Sequence, residues 1–106
     1  MKLTASLSKS IINLNQLFNH RTRMGIMAVL IVNEWVDFVS LREALQLTDG
    51  GLASHLKALT KAELIETEKK FVDDKPKTSY RATEAGRVAF DKHLAELEAF
   101  VKLRDE

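Results

Sequence analysis

Hydrophobic positions along the chain recur mostly at helical spacing. Leu3, Leu7, Ile11, Leu14 and Phe18 fall three and four residues apart, with Ile12 and Leu17 widening the stripe, which predicts an amphipathic first helix of about four turns. Three serines (Ser6, Ser8, Ser10) weaken its intrinsic propensity, so it needs packing against the core or a partner to persist. Asn19 is a plausible cap for the next segment, His20 to Val32, whose run MGIMAVLIV is apolar on nearly every side and reads as a buried central helix. Asn33 to Val39 reads as a linker, open to a short β-bridge, whose Trp35 and Phe38 plug the core.

The organising stretch runs from Ser40 to Leu64. Ser40 with Glu43 forms an S-x-x-E capping box for a short helix, Leu41 to Leu47, with Leu41, Ala44 and Leu45 facing inward. Thr48 and Asp49 offer a second cap, Gly50 and Gly51 occupy the turn or first turn, and Leu52, Leu56 and Leu59 restore the apolar face. This second helix ends near Lys61 to Glu63. Leu64 to Val72 and Thr78 to Ala82 are β-prone, and Asp73, Asp74, Lys75 and Pro76 between them are turn residues, so the pair reads as a hairpin with a charged loop. Thr83 caps a last helix in which Phe90, Leu94, Leu97 and Val101 keep the 4-3-4 spacing of a helix pair.

Two helices across a tight turn, followed by a hairpin, define a winged helix-turn-helix. The fold class is mainly α with a small β-hairpin wing, plus N- and C-terminal helices for dimerisation. A single domain over 1–106 is expected, with the helix-turn-helix at about 40–62, the wing at about 64–82 and the C-terminal helix at about 83–104. Leu3, Leu7, Ile11 and Leu14, together with Phe90, Leu94, Leu97 and Val101, are the candidate dimer interface.

Composition changes this picture only in part. The net charge of the 106 residues is +1, but its distribution is uneven. Met1 to Asn33 holds Lys2, Lys9, Arg21 and Arg23 and no acid, Gly50 to Ala82 holds seven bases against five acids, and Thr83 to Glu106 four against six. In this fold the second helix lies in the major groove and its N-terminal residues meet base edges. Thr48, Gly50, Gly51, Ser54, His55, Lys57 and Lys61 are therefore the candidate reading positions, with the glycines removing bulk where helix and DNA come closest. Lys69, Lys70, Lys75, Lys77 and Arg81 on the hairpin, and Arg21, Arg23 and Arg42 beside the helices, are candidate phosphate contacts. Asp49 fits beside a phosphate backbone as a helix cap, or as an acceptor from cytosine N4.

The chain contains no cysteine, so a disulfide scaffold and a Cys-ligated zinc site are ruled out. The three histidines are far apart in sequence, and no metal or cofactor is expected. No phosphate-cradling loop, nucleophile elbow or H-E-x-x-H motif is present, and no enzyme is expected. The best apolar run is too short to cross a bilayer, so a soluble cytoplasmic protein is the default.

These residues carry a resemblance. L-A-S-H-L-K-A-L from Leu52, A-E-L-I-E from Ala62 and Y-R-A-T-E-A-G-R from Tyr80 resemble winged-helix transcriptional regulators of the MarR/ArsR-like superfamily, over Asn19 to Phe90. The resemblance implies a homodimer on a pseudo-palindromic double-stranded DNA site, usually a repressor, with recognition helix Asp49 to Ala62 and wing Leu64 to Ala82. A small-molecule effector in a cleft beside the dimer helices is an open expectation. One departure stands out: Glu63 occupies the turn site where the family has glycine. A left-handed Glu63 would cost about 1 kcal/mol, unless the turn is tighter or the helix exits differently. The competing reading is a winged helix that grips a protein partner instead of DNA.

Overall fold

A computed structural model of the chain describes residues 15–18 and 20–105. The first helix expected over Leu3 to Leu14, with its interface residues Leu3, Leu7, Ile11 and Leu14, lies outside the described residues, as does Asn19. Gln16–Phe18 forms a 3₁₀ turn. The helices are α1 (Arg21–Val32), α2 (Phe38–Leu45), α3 (Asp49–Lys61) and α4 (Glu84–Arg104), and the strands are β1 (Val36–Asp37), β2 (Ile65–Val72) and β3 (Lys75–Ala82).

The core collects one face of every element. Phe18, Ile26, Met27, Leu30, Leu41, Leu52, Leu56, Leu59, Ile65 and Phe90 are all buried. Phe18 meets Phe90 edge-on at 5.5 Å and His93 at 5.3 Å, which ties the start of the described chain to α4. Each fully buried aliphatic or aromatic side chain contributes about 1.5–3 kcal/mol. The β-branched run of α1 is helical, as expected from its apolar surroundings.

Several boundaries differ from the sequence pattern. His20 caps α1, its Nδ1 accepting from the Thr22 N–H at 3.3 Å. Ser40 does not cap α2. Asp37 does, accepting from the Ser40 N–H and, at 2.6 Å, from the Ser40 hydroxyl. The helix therefore starts at Phe38 and ends at Leu45, and Ala44 is exposed. A carboxylate one helical turn earlier outcompetes the Ser40 box because it also satisfies that serine. The linker does make a short strand: Val36 and Asp37 pair with Tyr80 and Ser79 of β3, giving the antiparallel order β1-β3-β2. Trp35 is not a core plug, because the residue is 37% exposed and its ring carries the Arg81 guanidinium 4.7 Å above it.

The hairpin is regular from Ile65–Ala82 to Val72–Lys75. Asp73 (φ 52°) and Asp74 (φ 62°) both sit in left-handed backbone, the geometry of a two-residue type I′ turn. Glu63 is left-handed as well (φ 62°), so the chain leaves α3 through a conformation that favours glycine, and a residue with a side chain bears the strain. The corner is held by backbone bonds Glu63 N–Thr60 O and Leu64 N–Leu59 O, and by the Thr83 hydroxyl, which donates to Glu63 O at 2.7 Å.

Candidate nucleic-acid interface

The turn between α2 and α3 places the candidate reading helix. Gln46 ends α2 in left-handed backbone (φ 52°), and Leu47 N–H returns to Arg42 O. Thr48 then caps α3, its hydroxyl accepting from Gly51 N–H at 3.1 Å. A Cβ on Gly51 would stand 3.0 Å from that hydroxyl, so Gly51 leaves room for the cap, whereas a Cβ on Gly50 would meet nothing within 4 Å. Asp49 is not the cap. It lies in the first helical turn and binds Arg42 Nη1 at 2.6 Å across the turn. A carboxylate there also favours the helix N-terminus.

Leu52, Leu56 and Leu59 face the core, as expected. At about 100° per residue, the opposite stripe holds Gly50, Ser54, Lys57 and Lys61, all exposed, with exposed Ala53 on its flank. His55 falls about 60° from the buried face by the same rotation. It is half-buried, its Nδ1 accepts from Arg23 Nε at 2.9 Å, and its ring lies 4.3 Å from that of His20. Burial first, then His20 and Arg23, hold its pKa below the ordinary histidine range. His55 is thus a clasp between α3 and the start of α1 rather than a free reading group, and Arg23 is partly spent on it. Lys57, expected at the side, is exposed on the side of α3 nearer the wing residues Thr67 and Tyr80.

The hairpin bases separate in the same way. Lys69 lies on the strand face shared with the buried Ile65, the side of α3. Lys70, Lys75, Lys77 and Arg81 take the opposite face by alternation. There Lys70 pairs with Glu68 at 2.7 Å, and Arg81 pairs with Glu66 while stacking on Trp35. Arg81 is committed to its own sheet. Arg21 is exposed at the start of α1.

A groove the sequence reading did not single out lies between α3 and the wing. Ala53, Leu56, Lys57, Thr60, Lys61, Thr67 and Tyr80 line about 450 Å³. Tyr80 is half-buried, and burial pushes its phenol pKa up. The strand register, once anchored by Ile65 and Ala82, is the signal that would have found it. On α4, Leu94 and Val101 are exposed and Leu97 is half-buried, whereas Phe90 is buried in the core of its own chain and leaves the proposed seam. Its contact with Phe18 accounts for this. Among the described residues no three His, Cys, Asp or Glu side chains cluster to hold a metal, and no helix is long and apolar enough to cross a membrane.

A helix-turn-helix with a three-stranded sheet, a two-strand wing and a basic outer stripe on the second helix defines a winged-helix protein of the DNA-binding class. The chain belongs to the family described as the winged helix DNA-binding domain, whose model matches residues 22–101. It is 39% identical over 82 residues to an uncharacterized protein of Methanocaldococcus jannaschii, covering 77% of this chain and 89% of that one. Among solved structures it is similar to a transcriptional regulator homologue from Pyrococcus horikoshii OT3, with TM-score 0.84, 26% identity, and 97% and 100% of the two chains covered. It also shares its fold with a MarR family transcriptional regulator from Silicibacter pomeroyi, with TM-score 0.66, 23% identity, and 90% and 61% of the chains covered. The fold is therefore the winged helix that these structures share.

Proposed function

We propose that this protein is a dimeric, sequence-specific double-stranded DNA-binding repressor. Its α3 reads the major groove, with Ser54 facing base edges and Lys57 and Lys61 facing phosphates. Thr48, Gly50 and Gly51 bring the start of the helix close to the DNA backbone. The observation that carries this reading is the outer stripe of α3, on which small and basic residues stand exposed opposite three buried leucines. Lys69 and the wing extend the contact, while Lys75 and Lys77 flank it from the far face of the hairpin.

The second protomer docks along α4 through Leu94, Leu97 and Val101, joined by the N-terminal residues Leu3, Leu7, Ile11 and Leu14. Exposure of Leu94 at 42% and Val101 at 47% supports that seam. A two-fold dimer presents two copies of α3 and so selects paired half-sites about one helical turn apart.

Selection of bound duplexes from a random pool tests the reading. Wild-type protein enriches a paired site, and Ser54→Ala relaxes base preference at one position of each half-site. Lys57→Ala weakens all sequences about equally. Failure to enrich any duplex, together with retention on a protein partner, would favour the protein-interaction alternative.

A further inference from the structure

The hairpin register sorts charge by face. Ile65–Ala82, Thr67–Tyr80, Lys69–Thr78 and Phe71–Pro76 share one face, and Glu66–Arg81, Glu68–Ser79, Lys70–Lys77 and Val72–Lys75 share the other. Ile65 and Ala82 are buried, and Thr67 and Tyr80 border the α3 groove, so the first face looks toward α3. Both strand carboxylates are on the second face. The α3 stripe and the first strand face together carry Lys57, Lys61 and Lys69 and no carboxylate. At the far end of that surface stands Phe71, 80% exposed, the most exposed large apolar side chain among the described residues. Its cross-strand neighbour is Pro76.

The spacing matches B-form DNA. At about 3.4 Å per residue, Phe71 lies roughly 13–14 Å beyond Thr67 along β2. Half a helical turn of duplex is about 17 Å, the step from a major groove to the adjacent minor groove. With α3 in the major groove and Lys69 at the intervening phosphates, Phe71 arrives over the minor groove. The unbroken pairing up to Val72–Lys75 and the type I′ turn make the arm stiff. Asp73 and Asp74 are repelled by phosphates, so the wing seats by its face and carries its acidic apex past the backbone into solvent.

We infer that Phe71, backed by Pro76, is an apolar wedge that enters the minor groove beside the α3 site and partly unstacks one base step. The wing then contributes specificity through deformability, favouring a flexible pyrimidine–purine step at a position it does not read by hydrogen bonds. The inference rests on the DNA-binding reading above.

The test uses the full chain and the duplex most enriched by wild-type protein, carrying 2-aminopurine at successive minor-groove positions and a dye at each end. Wild-type protein raises fluorescence several-fold at one step per half-site and shortens the end-to-end distance. Phe71→Ala abolishes both effects and weakens binding about tenfold, while thermal unfolding and protection of guanine N7 in the major groove stay unchanged. Phe71→Trp retains the signal. Unchanged bending and fluorescence in Phe71→Ala overturn the wedge and leave the DNA-binding reading standing. A switch of Phe71→Ala from dimer to monomer by sedimentation also overturns it, assigning the residue to a contact between copies. If no duplex is enriched, both readings fall together.

Discussion

Replacing Gly86 with alanine strikes the joint on which the wing hangs. A Cβ at this position would lie 1.9 Å from the backbone carbonyl oxygen of Leu64, 2.9 Å from its carbon and 3.2 Å from its Cα. The obstacle is backbone, so no side chain can swing aside. Helix α4 must move until the contact opens to 3.0 Å or more. That movement strains the bonds gathered at the joint: Thr83 N–H to Leu64 O at 3.1 Å, Gly86 N–H to the Thr83 hydroxyl at 2.9 Å, and that hydroxyl to Glu63 O at 2.7 Å. Losing two of them costs about 2 kcal/mol, and overpacking adds about 1–3 kcal/mol. Better helix propensity returns about 1 kcal/mol, which leaves a net loss of roughly 2–4 kcal/mol. At about 4–8 °C per kcal/mol for a domain of this size, Gly86→Ala lowers Tm by roughly 8–32 °C. Circular dichroism melts of the variant beside Gly50→Ala, whose Cβ meets open space, measure this. A Gly86→Ala melt within about 2 °C of wild type would refute the close approach of α4 to Leu64.

Other predictions concern strain, assembly and protonation. Glu63→Gly relieves a left-handed φ of 62° and raises stability by about 0.5–1 kcal/mol in urea unfolding, and a loss of stability would contradict that backbone geometry. Leu94→Asp with Leu97→Asp places two charges on the exposed side of α4, turns the dimer into a monomer by sedimentation velocity and weakens duplex binding. A dimer that survives both changes puts the seam elsewhere. His93 is 2% exposed, and its Nδ1 accepts from Asn15 N–H at 3.1 Å, so burial holds its pKa below the ordinary histidine value. The neutral ring is the form the fold holds. Its share of stability is complete above the unfolded pKa of about 6.5 and is lost as pH falls through the lower folded value. An NMR titration in which His93 protonates at or above 6.5 would contradict its neutral burial.

Local patterning made most of the fold legible. Leu52, Leu56 and Leu59 announced the buried face of α3, Thr83 its neighbour's cap, and the turn residues the hairpin. What escaped depended on competition between alternatives of similar local strength. Asp37 and Ser40 are both good caps, and only the tertiary path through β1 chooses Asp37. The reading of His55 failed because a polar residue three positions after the core-facing Leu52 was placed with the outer stripe. Rotation puts it at the margin, where Arg23 and His20 engage it. The wing bases looked equivalent in sequence. Strand alternation divides them, and Glu66 and Glu68, already visible as i, i+2 neighbours, neutralise two of them on the far side. The aromatics misled in both directions: Trp35, expected inside, lies on the sheet under Arg81, while Phe90, expected at an interface, is inside with Phe18.

The central claim, that the outer stripe of α3 faces a nucleic-acid groove, is tested most directly by the salt dependence of duplex affinity. Each phosphate contact made by a lysine releases condensed counterions and steepens the fall of log K with log salt by about 0.9. Lys57→Ala and Lys61→Ala should each flatten the slope by close to one while leaving thermal stability within about 0.5 kcal/mol of wild type. Wild-type protein that ignores duplex DNA at low salt, or slopes unmoved by both substitutions, would contradict the account.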